Sequence, residues 1–148
     1  MRWMSWLIGV IVFSILGSVA LAESPLDGTE WRVEITPKGS TIPSYIDWIL
    51  FDEGKFSSEI FKRKGFPPVQ YSLTEKKKGP HIWEGTQKNA SEGKLSWRGE
   101  FEGDTMTGSL RWTHADGKVV KHTLTGEKGI MPREPKPDPE TEDPVPSP

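Results

Sequence analysis

The chain has 148 residues, no cysteine, and 19 basic against 21 acidic side chains, a formal net charge of −2. The missing thiols exclude disulfides, cysteine nucleophiles and thiolate metal sites, so any folded part rests on its hydrophobic core alone. A near-neutral, slightly acidic balance lacks the basic footprint of a nucleic-acid binder, and no nucleic acid is expected as a partner.

The N-terminus reads as an export signal. Arg2 gives a positive start, Leu7 to Leu21 is almost wholly apolar, and Ala20-Leu21-Ala22 supplies the small-x-small pattern of a cleavage site. The apolar run is shorter than the roughly 20 residues that span a bilayer. Cleavage after Ala22 is therefore expected, with an uncleaved anchor as the alternative. Residues 1–22 are assigned to the signal peptide, which is the chain's only expected membrane contact, and no cysteine is present for lipid attachment. The mature protein is expected in the periplasm or outside the cell.

The next segments alternate polar and apolar residues, the period of a half-buried strand. Glu30 to Thr36 puts Trp31, Val33 and Ile35 on one face, and Tyr45 to Phe51 forms a second strand. Asp52-Glu53-Gly54-Lys55 has the residues of a hairpin turn. A third strand is predicted over Phe56 to Lys62, broken by Gly65-Phe66-Pro67-Pro68, and a fourth over Val69 to Glu75. Strands follow at His81 to Gln87, Lys94 to Phe101, Thr105 to Thr113 and Lys118 to Gly126, the first three each ended by a glycine-bearing turn. The basic runs Lys62-Arg63-Lys64 and Lys76-Lys77-Lys78 are expected in solvated turns.

Eight short strands joined in this way predict an all-β fold, an antiparallel up-and-down eight-stranded barrel over residues 23–128. Closure removes the two exposed edges that an open meander would leave. Gly85, Gly99, Gly108 and Gly126 lie in register with the apolar faces, where only tight coiling or close side-chain approach justifies glycine. A twisted open sheet or two-sheet sandwich is the alternative. From residue 129 the chain turns acidic and proline-rich, with seven prolines from Pro132 onward, the composition of a disordered tail.

Leu26-Asp27-Gly28-Thr29-Glu30-Trp31 resembles the start of lipocalin-type (calycin) barrels, where glycine and tryptophan mark the first strand. The resemblance covers the whole expected domain and implies a short up-and-down barrel of the bacterial periplasmic kind, with Trp31 closing one end. The chain departs from that pattern in three ways. Two residues rather than one separate Gly28 from Trp31, no long C-terminal helix follows, and the strands are shorter.

The sequence carries no G-x-S-x-G, glycine-rich phosphate loop, H-E-x-x-H or EF-hand loop. No catalytic residue, metal site or cofactor is therefore assigned, and the protein is expected to be non-enzymatic. The candidate ligand-binding residues are the inward aromatics Trp31, Tyr71, Trp83, Trp97 and Trp112, with Asp47 and His122 as polar groups on the same faces. These aromatics could line a pocket for a small apolar or sugar-like ligand, or fill the interior themselves. Asp47 could meet a polar ligand group, pair with Arg111 or Lys118, or sit at a wet strand end. His122 reads either as a hydrogen-bonded core histidine or as part of a ligand site.

Ile46-Asp47-Trp48-Ile49-Leu50-Phe51 is apolar on both faces. Its second face, Ile46, Trp48 and Leu50, is either covered by the Thr36 to Ser44 connection or free as a protein-contact patch. Two functions follow as expectations: a barrel binding a small apolar ligand, or a protein-interaction module such as a periplasmic inhibitor or envelope-assembly factor. Asn89-Ala90-Ser91 is a glycosylation sequon placed in a turn.

Overall fold

A computed structural model describes residues 24–135. The expected leader with its cleavage point, and the tail from residue 136 onward, lie outside the described residues. Among the described residues nine strands form one antiparallel sheet: β1 (Thr29–Pro37), β2 (Tyr45–Asp52), β3 (Lys55–Ser58), β4 (Val69–Gln70), β5 (Ser72–Thr74), β6 (His81–Asn89), β7 (Gly93–Glu102), β8 (Thr105–Thr113) and β9 (Val119–Gly129). One helix, α1 (Glu59–Arg63), interrupts them.

The strand order is β4-β3-β2-β1-β9-β8-β7-β6-β5. β4 and β5 stand at opposite ends of that order, yet only Tyr71 separates them in the chain. The sheet therefore curls into a nearly closed barrel. β1 pairs with β9 from Glu30↔Gly129 to Pro37↔His122, joining the first and last strands. The predicted fourth strand exists as two short pieces: Val69 and Gln70 pair with β3, and Ser72 to Thr74 with β6. At the break the Tyr71 N–H donates to the Gly54 carbonyl at 3.3 Å, and its phenol lies 2.6 Å from Asp27 Oδ1 and 2.7 Å from Ser24 Oγ. Bonding to both neighbours requires the chain to step from one wall to the other.

The third strand corrects the sequence reading. It ends at Ser58, not Lys62, and α1 follows. Ser58 caps the helix, its Oγ accepting the Phe61 N–H at 3.0 Å. Glu59 in the first turn and Lys62 and Arg63 in the last suit the helix dipole. The turn carries Phe61 over the mouth of the barrel, where it is fully buried. Burial of this ring overrides the local alternation. Lys62 and Arg63 thus lie in a helix, while Lys76-Lys77-Lys78 lies in the exposed β5–β6 loop.

Alternation places Leu95, Trp97, Leu110 and Leu124 inside, none more than 2 % exposed. The core is dominated by ring-on-ring contacts. Trp83 meets Phe51 at 4.9 Å and Phe56 at 5.0 Å between ring centres, and Phe61 meets Trp97 at 5.7 Å and Trp112 at 5.3 Å. Such contacts add about 0.5–1.5 kcal/mol each beyond the area they bury. They explain how a domain without disulfides holds together.

Candidate functional site

The aromatics expected to face the interior do so, and each interior indole finds a partner for its N–H. Trp31 donates to Thr29 Oγ1 at 2.9 Å, Trp83 to Met106 Sδ at 3.4 Å, Trp97 to Gln87 Oε1 at 2.9 Å, and Trp112 to the Glu92 carbonyl at 2.8 Å. Tyr71 is spent on Asp27 and Ser24, and burial with the Asp27 hydrogen bond pushes its phenol up to about 12. The strand glycines mark how closely these rings fill the barrel. A β-carbon at Gly99 would stand 2.0 Å from Trp83 Nε1, and one at Gly85 would stand 2.1 Å from Phe56 Cε1. These are the bonds and contacts of packed core side chains.

Asp47 meets neither Arg111 nor Lys118, and it is not at a wet strand end, since it is 1 % exposed. Its Oδ1 accepts the N–H groups of Ile60 (3.0 Å) and Trp48 (2.7 Å), and its Oδ2 accepts the Ser58 hydroxyl. Asp47 and Ser58 together satisfy the start of α1. Desolvation raises the carboxyl above its ordinary value, against the pull of these three donors. The signal for this role lay in Ser58-Glu59, a cap followed by an acid, which strand alternation masked.

His122 lies inside β9 at the helix end of the barrel, its ring 6.5 Å from that of Tyr45. Its Nδ1 has no hydrogen-bond partner among the described residues. Burial pushes the imidazole below the ordinary histidine value, opposed by the Leu110 backbone and aided by the nearby His114. The unfolded chain therefore takes up this proton first. The stability contribution is complete above about pH 6.5 and is lost as pH falls below it. Asp47, with its raised value, titrates in the opposite sense, and Glu30, held low by the Met131 N–H, acts only in more acidic solution. The urea midpoint is expected to drop between about pH 7.5 and pH 5.5, and His122→Leu to flatten that drop. An equal pH slope in the variant would refute the assignment.

His81 and His114 have other partners. His81 Nδ1 accepts the Lys76 N–H at 3.0 Å, and His114 stacks on Trp112 at 4.2 Å. No three histidine or carboxylate side chains converge as metal ligands among the described residues. The sequon residue Asn89 is internally committed. Its Nδ2 donates to the Gly65 carbonyl at 2.8 Å, and its Oδ1 accepts from the N–H groups of Ser91 and Glu92.

The outer wall is less complete. Ile46 is 54 % exposed, and Trp48 and Leu50 are half-buried. No residue of the Thr36 to Ser44 connection lines the groove beside Ile46 and Trp48, and its Ile42 stands 75 % exposed. The partial cover comes from beyond β9. There the Met131 N–H donates to Glu30 Oε2 at 2.6 Å and Arg133 pairs with Glu30. The domain thus stays organised past residue 128, where the tail was expected to begin.

Two grooves flank Trp48. One, of about 440 Å³, lies between α1 and the C-terminal segment and is lined by Ile46, Ile60, Met131 and Pro132, with Glu59 and Arg63 at its rim. The other, of about 490 Å³, crosses β1, β9 and β8 and carries Arg32, Glu34, Thr107, Thr125 and Glu127. Sequence reasoning found Trp48 from the doubled apolar face. It missed Ile60 and Met131, which distant segments bring to the same groove. Compared with family models, with curated proteins and with solved structures, the chain matches none.

Proposed function

We propose that this protein is an exported, non-enzymatic, short lipocalin-like barrel that serves as a protein-interaction module, engaging its partner through Ile46, Trp48 and Ile60. The observation that carries the reading is the contrast between the two faces of β2. Inside, aromatic rings press against strand glycines; outside, a groove lined by Ile46, Trp48, Ile60, Met131 and Pro132 together with Glu59 and Arg63 is left only partly covered. Exposed apolar surface rimmed by charge is the usual mark of a contact site. The opening Leu26 to Trp31, with Trp31 buried at the Asp27 end, supports the lipocalin-like part of the reading.

A photo-cross-linking residue at position 46, compared with one at the outward Lys121, tests the proposal in the cell envelope. One protein should cross-link from position 46 only, and Ile60→Glu should abolish it. Equal yields from both positions would refute the reading. The alternative is a small apolar ligand inside the barrel. It requires fatty acids, retinoids or small aromatics to change the tryptophan emission and to appear as added mass in native mass spectrometry.

A further inference from the structure

The second groove beside Trp48 has a different chemistry from the first. It is formed by outward rungs that run across four strands. Trp48 pairs with Arg32, Arg32 with Glu127 and Glu127 with Thr105; on the next rung Glu34 pairs with Thr125 and Thr125 with Thr107. Adjacent strands are about 4.8 Å apart, so hydroxyl and charged groups repeat at a spacing comparable to the rise of one sugar along an extended glycan.

The charges decide what can lie there. Arg32 is 3.6 Å from Glu34, and Lys128 is 3.4 Å from Asp104, so the cations are already matched by acids. Glu127 stands opposite Arg32 in the ladder. An anionic ligand would face Glu34 and Glu127, and a cationic one Arg32. A purely apolar ligand would cover these charges without hydrogen bonds, which is costly. A neutral ligand rich in hydroxyls can donate to the carboxylates and accept from the guanidinium and threonines at once. The Trp48 indole supplies an apolar wall for the C–H face of a sugar ring.

Gly129 keeps that wall accessible. A β-carbon there would stand 3.3 Å from Trp48 Cη2 and 3.5 Å from Cζ3, so any larger side chain would lie against the indole edge. Gly129, the last residue of β9, is not in the left-handed region, so its backbone does not require glycine. The groove volume of about 490 Å³ falls within the range of small-ligand sites.

From these features we infer that the outer wall between Trp48 and Thr107 binds a neutral oligosaccharide. The site shares only Trp48 with the protein-contact groove. The test is calorimetric titration of the mature chain with chitotetraose, cellotetraose and maltotetraose, beside an anionic tetragalacturonate. At least one neutral tetrasaccharide should bind in the micromolar to millimolar range. Gly129→Leu and Trp48→Ala should each weaken it about tenfold or more, Arg32→Met should weaken it less, and Ile46→Lys should leave it unchanged. Absence of heat from all three neutral sugars would overturn the inference, as would preference for the anionic one or equal binding by Gly129→Leu. Failure here with intact cross-linking from position 46 sinks the glycan site alone; failure of cross-linking with intact sugar binding sinks only the protein-contact reading.

Discussion

Gly108→Ala is expected to destabilise the barrel by about 3 kcal/mol, the upper end of overpacking costs. The added β-carbon would stand 2.1 Å from the Arg98 carbonyl oxygen and 2.9 Å from the Gly99 α-carbon. Both are backbone atoms of β7, which pairs with β8 from Lys94 to Glu102, so neither can swing aside. Gly99→Ala meets a side chain instead, the Trp83 indole, but that ring is fully buried against Phe51, Phe56 and Trp97. Its cost should be smaller, about 2 kcal/mol. Gly103→Ala is the control. Nothing lies within 4 Å of its β-carbon, and only its φ of 59° resists alanine, a cost of about 1 kcal/mol. Urea unfolding of the three variants measures the ranking. A Gly108→Ala midpoint equal to that of Gly103→Ala would show that the two strands are not coiled together so tightly.

Asp47→Ala should cost about as much, roughly 3 kcal/mol or more. It strands the Ser58 hydroxyl and the N–H groups of Ile60 and Trp48 in a site 1 % exposed. Each unsatisfied buried group costs about 1–3 kcal/mol. Asp47→Asn retains an acceptor for the two N–H groups and removes a charge that burial disfavours, so its loss should be about 1 kcal/mol. The pH dependence separates the two effects. Because the folded carboxyl is raised above 3.8, the wild-type native state holds this proton longer than the unfolded chain. The resulting contribution to stability is present below that value and is lost as pH rises; it vanishes in Asp47→Asn. Amide exchange at Ile60 and Phe61 should accelerate in Asp47→Ala before global unfolding. Protection of those amides equal to wild type would refute the capping role.

The fold was legible because its strongest signal is local. Trp31, Val33 and Ile35, then Leu95, Trp97 and Phe101, alternate without interruption, and all are buried. The in-strand glycines pointed to crowding, and Gly99 against Trp83 is that crowding. Two elements escaped because distant residues decide them. Phe56 to Lys62 was read as a strand continuing from the Asp52 to Lys55 turn, yet Asp47, more than ten positions away, supplies the acceptor that starts a helix there. Val69 to Glu75 reads as one strand, but Asp27 and Gly54 hold Tyr71 where the chain must change partners. The outer face of β2 was visible as a doubled apolar pattern. What flanks it was not, because Ile60, Met131 and Gly129 come from segments with no pattern linking them to Trp48.

The pairing of β1 with β9 sets a schedule for the growing chain. Residues 29–37 come among the first of the domain, but one of their two neighbours is built from residues 119–129. Whether the polypeptide leaves a ribosome or threads a translocation pore, β1 exposes an unsatisfied edge until nearly the whole domain has emerged. Long-separation pairing of this sort slows folding and leaves apolar strands open to wrong neighbours meanwhile. A chain held unfolded until it has fully crossed would complete its wall in one step, so the same connection that seals the barrel delays its closure until the last strand is delivered.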